Sequence, residues 1–116
     1  MTVERIKGLW PVFAYARLKR PGYEDNASMM GDLRRMPDGD HAAHFGTPRI
    51  RIWGQVIYVD DVVLERMDHW EDDDPPRFER VELVTVGGMP VYAYQYAAKD
   101  FQKLPKIDST WSPYAR

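Results

Sequence analysis

Two strand-like runs, Arg80 to Val86 and Met89 to Tyr96, stand on either side of Gly87 and Gly88. A glycine pair permits the positive φ angles of a two-residue hairpin turn, so this stretch predicts two antiparallel strands in direct succession. Pro90 cannot donate to a ladder, which marks its end of the second strand as an edge or an irregularity. The hairpin fixes a sheet as the frame into which the other segments must fit.

Upstream, Arg49 to Val59 carries Ile50, Ile52, Trp53, Val56, Ile57, Tyr58 and Val59 and predicts a long central strand. Gly54 within it points to a bulge or a close backbone approach. Trp10 to Tyr15 is a short apolar run that suits a buried strand, followed by a loop at Ala16 to Lys19. Met29, Met30, Leu33 and Met36 are spaced for a short amphipathic helix over Asn26 to Met36, and the Asp-, Gly- and His-containing stretch Met36 to Thr47 reads as an exposed loop. Val63, Leu64, Met67 and Trp70 repeat at the spacing of one buried helical face, with Asp60 or Asp61 as the cap. That helix is expected over residues 61 to 70. Pro75 and Pro76 forbid its continuation, so the acidic run Glu71 to Asp74 falls in the turn that follows. The last stretch, residues 100 to 116, carries Pro105 and Pro113 and is expected to wrap over the core as a tail without regular structure.

The 116 residues, with 44% apolar content, match one domain spanning 1 to 116 with one core. No cysteine is present, which excludes disulfides, thiolate metal sites and a thiol nucleophile, and makes a reducing cytoplasm the expected setting. Sixteen basic against eighteen acidic side chains give a net charge of −2, so nothing draws the chain onto nucleic acid. Glu4, Arg5 and Lys7 break up the start of the sequence, and no run approaches the roughly 20 apolar residues that span a bilayer. A soluble protein without membrane or nucleic-acid partners is expected; charge and composition set no oligomeric state.

Asp38, Asp40, His41, His44 and His69 are candidate metal ligands by residue type. The His41, His44 spacing lies in an Asp-, Gly- and Ala-containing loop with no helical frame and no cysteine, so an exposed polar loop is the preferred reading and no metal site is assigned. The aromatic residues of the strands, among them Tyr92, Tyr94 and Tyr96, are read as core and cross-strand pairs rather than stacking platforms.

The order of these pieces resembles the γ-glutamyl cyclotransferase-like superfamily. Val12 to Arg20 resembles its apolar strand running into a Tyr-Gly-Ser/Thr-Leu loop, and Gly54 to Asp61 its Gly-Glu-Leu-Tyr-x-Val-Asp segment. Met67 to Glu71 is similar to its Leu-Asp-x-x-Glu pattern, Phe78 to Val81 to its Tyr-x-Arg-x stretch, and Val91 to Tyr94 to its last core strand. The resemblance implies an α+β fold: a small mixed β-barrel-like sheet with two short helices, where the first-strand loop and the acidic turn meet at a pocket. It implies a cofactor-independent enzyme that releases 5-oxoproline from a small γ-glutamyl amine or amino acid by intramolecular aminolysis. Glu71 would be its general acid/base, and Tyr15, Ala16, Arg17 and Leu18 would hold the glutamyl group. Like charge from Asp68, Asp72, Asp73 and Asp74, together with a helix C-terminus, suits Glu71 to proton transfer by disfavouring its ionised form. Ala16 and Arg17 replace the family's glycine and small hydroxyl residue, and Phe78 its tyrosine. Those departures carry the alternative expectation, a non-catalytic member of the fold that binds a small ligand or a protein.

Overall fold

The computed structural model describes residues 2–15, 25–69 and 77–108. Six strands form one sheet: β1 (Trp10–Ala14), β2 (Asp25–Arg35), β3 (His41–His44), β4 (Ile50–Val59), β5 (Phe78–Val84) and β6 (Pro90–Tyr96). One helix, α1 (Asp61–Asp68), and a 3₁₀ turn at Phe101–Lys103 complete it. The strand order is β3-β2-β4-β1-β6-β5. β1 lies in the middle, antiparallel to β4 from Trp10 opposite Val59 to Ala14 opposite Gln55, and parallel to β6 at Val12 opposite Tyr92. The fold is α+β with a mixed, curled sheet.

Alternation explains the two faces. Successive side chains of a strand point to opposite sides, so Phe13 and Tyr15 enter the main core with Ile52 and Val56, while Val12 and Ala14 face α1 with Ile57 and Val59. A strand covered on both sides must be apolar throughout, as β1 is. The sheet curls until its ends approach: the Val86 amide donates to the Ser28 carbonyl at 2.9 Å, and the Phe45 amide to Gln95 Oε1 at 3.3 Å. These bonds give the sheet its barrel-like form.

α1 begins where the sequence predicts. Asp60 caps it by accepting from the Val63 amide at 2.8 Å, and Leu64 and Met67 form the buried face. Gly54 is a close backbone approach, since a Cβ built there would lie 2.3 Å from the Ala14 carbonyl oxygen. No side chain fits at that distance, so glycine is what lets the end of β1 lie this close to β4.

Four expectations are corrected. The segment Asn26 to Met36 is strand, not helix: Ala27, Met29 and Leu33 pack into the main core at a period of two, and Met30 is exposed on the other face. The helical spacing of the methionines was misleading because the outward-facing positions Asp32 and Arg34 are buried too, as an ion pair. The presumed loop Met36 to Thr47 contains β3, paired with β2 from Arg35 opposite His41 to Asp32 opposite His44. Only Ala42 and Ala43 mark it as apolar, and both are fully buried. In the hairpin the turn covers Thr85 to Gly88, closed by the Gly88 amide on the Thr85 carbonyl, and Gly88 alone of the pair has positive φ, at 98°. That is the three-residue loop with a left-handed glycine, not the two-residue turn. Finally, among the described residues the tail is partly regular, with the 3₁₀ turn at Phe101–Lys103 and a bridge from Lys106 to Arg34. The Arg35 amide donates to the Pro105 carbonyl, and the Ile107 amide to that of Leu33, so the tail pairs with β2 just past the start of β4 at Ile50.

Candidate functional site

Tyr15 is the last described residue of the first-strand segment, and α1 ends at Asp68 on the other face of the sheet. One residue of β6 touches both. The buried Tyr15 hydroxyl donates to the Tyr94 carbonyl. The Tyr94 hydroxyl donates to Asp68 Oδ1 at 2.6 Å and lies 3.4 Å from the Leu64 carbonyl. Arg80 reaches the same Asp68 oxygen from β5, with Nε at 3.4 Å, and its guanidinium stacks over Tyr92 at 4.6 Å from the ring centre. β1, α1, β5 and β6 are thus tied together around Tyr94.

The electrostatics keep both phenols protonated. Burial pushes the Tyr15 hydroxyl well above its ordinary value of 10.0. Burial, and then the hydrogen bond to Asp68, do the same for Tyr94. Each is therefore a donor at any physiological pH, which fixes the direction of both bonds. Tyr15 also meets Phe45 edge-on at 5.9 Å.

Of the residues the sequence singles out, Tyr15 lies within this frame. Ala16, Arg17, Leu18 and Glu71 lie outside the described residues, as does Trp70 of the expected helical face. Phe78, at the tyrosine position of the resembled motif, packs edge-on against Tyr96 with ring centres 5.4 Å apart. Asp68, read from sequence as one of several charges crowding Glu71, is engaged by Tyr94 and Arg80. Sequence reasoning missed Tyr94 because alternating tyrosines in a strand look like packing alone. The signal available was the alternation of β6, which sets Tyr94 on the face opposite Ala93, the face that Leu64 and Met67 of α1 cover.

The candidate metal ligands are dispersed. Asp38 Oδ1 accepts from the Asp40 amide in the turn between β2 and β3, and His44 Nδ1 accepts from the Gly46 amide at 3.2 Å. His69 caps the C-terminus of α1 through its backbone. Among the described residues no three His, Cys, Asp or Glu side chains come together as a metal site would need. The rings are largely spent on one another and on arginines: Trp10 lies 5.5 Å from Tyr92, and Arg51 stacks over Trp53 at 4.7 Å.

A family model described as "Gamma-glutamyl cyclotransferase, AIG2-like" matches residues 7–113. The chain belongs to this family. The match runs through the first strand, α1, the hairpin and most of the tail, so it takes in residues 16–24 and 70–76, which follow Tyr15 and His69 in the sequence. A crystal structure of an AIG2-like protein from Mus musculus, at 1.90 Å resolution, is similar in fold. It superposes with a TM-score of 0.68 at 18% identity, covering 91% of this chain and 92% of that one. None of the curated proteins matches. In this AIG2-like chain no helix among the described residues is long and apolar enough to cross a membrane.

Proposed function

We propose that this chain is a γ-glutamyl cyclotransferase that releases 5-oxoproline from a small γ-glutamyl amine or amino acid. The observation that carries the reading is the double use of Tyr94, whose carbonyl holds the end of β1 and whose hydroxyl holds the end of α1. The strand that precedes the first of the segments the resemblance assigns to chemistry, and the helix that precedes the second, are both tied to this one residue. Family membership over residues 7–113 supports the same assignment.

In the reaction, the free α-amine of the glutamyl group attacks its own γ-carbonyl. A bond forms from that nitrogen to the γ-carbon, the bond from the γ-carbon to the leaving nitrogen breaks, and a five-membered lactam results. The attacking amine loses a proton and the leaving amine gains one. A single carboxylate, Glu71, performs both transfers, first as base and then as acid. Tyr15 to Leu18 hold the glutamyl group, and Arg17 suits its carboxylate because a guanidinium binds a carboxylate through two parallel bonds. No cofactor takes part. The whole chain, 1 to 116, acts as one domain on a small molecule, with neither nucleic acid nor membrane as partner. The absence of cysteine suits the cytoplasm.

The test is to incubate the protein with a panel of γ-glutamyl amines and amino acids and to measure 5-oxoproline. Wild type should turn over at least one of them, and Glu71→Gln should slow release by about a hundredfold or more. Absence of turnover across the panel, or equal turnover by the variant, removes the assignment.

A further inference from the structure

The curled sheet leaves a seam between its terminal strands. Near the hairpin tip the seam is closed by the bond from Val86 to Ser28. Toward the start of β5 it opens into a half-open cavity of about 330 Å³, within the range of small-molecule sites. His44 and Thr47 line it from the β3 side and Glu79 from β5, with Tyr96, Phe101 and Gln102 completing the lining. None of these belongs to the Tyr15 to Leu18 loop or to the acidic run Glu71 to Asp74.

Its polar groups are oriented by bonds behind them. Gln95 accepts the Phe45 amide on Oε1 and donates from Nε2 to Glu79 Oε1 at 2.8 Å. This chain of bonds aims the Glu79 carboxylate while leaving its second oxygen without a partner among the described residues. His44 accepts the Gly46 amide on Nδ1, so the neutral ring carries its proton on Nε2. Gln102 spends its side-chain oxygen on Arg34 at 3.1 Å, which leaves its amide NH₂ to donate. One edge of the seam therefore offers an anionic acceptor. The other edge and the 3₁₀ turn offer donors.

We propose that the seam binds a free α-amino acid, or a molecule with the same zwitterionic chemistry, its ammonium on Glu79 and its carboxylate on His44 and Gln102. An ammonium pairs with a carboxylate, and a carboxylate takes charge-assisted bonds from N–H donors. Tyr96 and Phe101, which line the same cavity, then meet the carbon between them.

The experiment is an NMR titration of the full chain with glycine and alanine, alongside ethylamine and acetate, which carry one half of the chemistry each. The amino acids should shift His44, Glu79 and Gln102, and the half-ligands should bind at least about tenfold more weakly, the effect of about 1.4 kcal/mol. Glu79→Gln should weaken binding about tenfold on the same scale. Thr47→Trp, which fills the cavity without touching the Glu79 bonds, should abolish it, and Glu71→Gln should leave it intact. Shifts confined to residues outside the seam, none up to tens of millimolar, unchanged affinity in Glu79→Gln and Thr47→Trp, or equal binding of acetate and glycine would each overturn the proposal. Turnover is not the readout, so the outcome is independent of whether 5-oxoproline is released.

Discussion

Two aspartates, Asp32 on β2 and Asp68 at the end of α1, are each held by an arginine, yet they do different work. Asp32 is buried between two guanidiniums: Arg34 Nη2 at 2.9 Å and Arg49 Nε at 2.9 Å. Those arginines also reach the tail, Arg34 binding the Gln102 and Leu104 carbonyls and Arg49 that of Ile107. Together these bonds fasten the tail to β2. Asp68 is about a third exposed and takes a phenol at 2.6 Å, while its arginine stands off at 3.4 Å. The closed network locks two segments of the fold. The open one ties the end of α1 to β5 and β6 and retains solvent access.

Removing the closed network should have the larger effect. Asp32→Ala leaves Arg34 and Arg49 without their shared counter-ion, and breaking a buried pair costs about 3–5 kcal/mol. Denaturant unfolding should show that loss with an unchanged m-value, and hydrogen exchange should show residues 105–108 released. The pH dependence follows from the same site. Burial alone would raise the Asp32 carboxyl, but hydrogen bonds and charge from Arg34 and Arg49 win and hold it below its ordinary 3.8. A depressed carboxyl contributes its stability fully above that ordinary value and loses it as pH falls through the lowered one. The acid limb of stability should therefore flatten in Asp32→Ala. A cost under about 1 kcal/mol would show instead that the network is no more than a surface pair.

Tyr94→Phe is the corresponding cut in the open network. It removes one bond to a carboxylate and leaves the ring in place, a loss toward the lower end of about 1.5–3 kcal/mol because Asp68 stays partly hydrated. The carbonyl that holds Tyr15 is untouched, so the effect should be confined to the end of α1. Amide exchange at residues 66–69 should quicken and that of β1 should not. Quickening in both would mean that Tyr94 acts through packing, and the comparison with Asp32 would lose its basis.

The contrast also explains which parts of the fold could be read in advance. β4, α1 and the hairpin follow a single local rule each: β-branched residues in a run, apolar residues at helical spacing, glycines between strands. β2 obeys no such rule, because Asp32 and Arg34 occupy positions that a local pattern assigns to solvent. Their burial depends on a tail some 70 positions away, with Arg34 to Leu104 as the contact. β3 is hidden for a related reason, its two buried alanines carrying too little apolar surface to announce a strand. The site divides in the same manner. Tyr15 is legible from its motif, whereas the role of Tyr94 exists only once β1 and β6 lie parallel, which no stretch of either strand encodes.

The smallest effect is expected at a third carboxylate that resembles the others on paper. Asp61 accepts both Arg5 Nη2, at 2.9 Å, and Trp10 Nε1, at 2.7 Å, and Arg5 stacks over the Trp10 ring at 4.9 Å. Geometry alone would rank this with Asp32. Exposure decides otherwise, since the Arg5 side chain is 51% and that of Asp61 66% accessible. Exposed pairs are worth about 0.2–1 kcal/mol and are screened by salt. Val3, buried at 4% exposure, anchors the N-terminal segment independently of charge. Arg5→Ala should therefore cost less than about 1 kcal/mol at low salt, with the difference from wild type vanishing near 1 M salt, where the screening length is about 3 Å. A loss that persists in high salt would place the Arg5 contribution in its contact with the Trp10 ring rather than in the charge on Asp61.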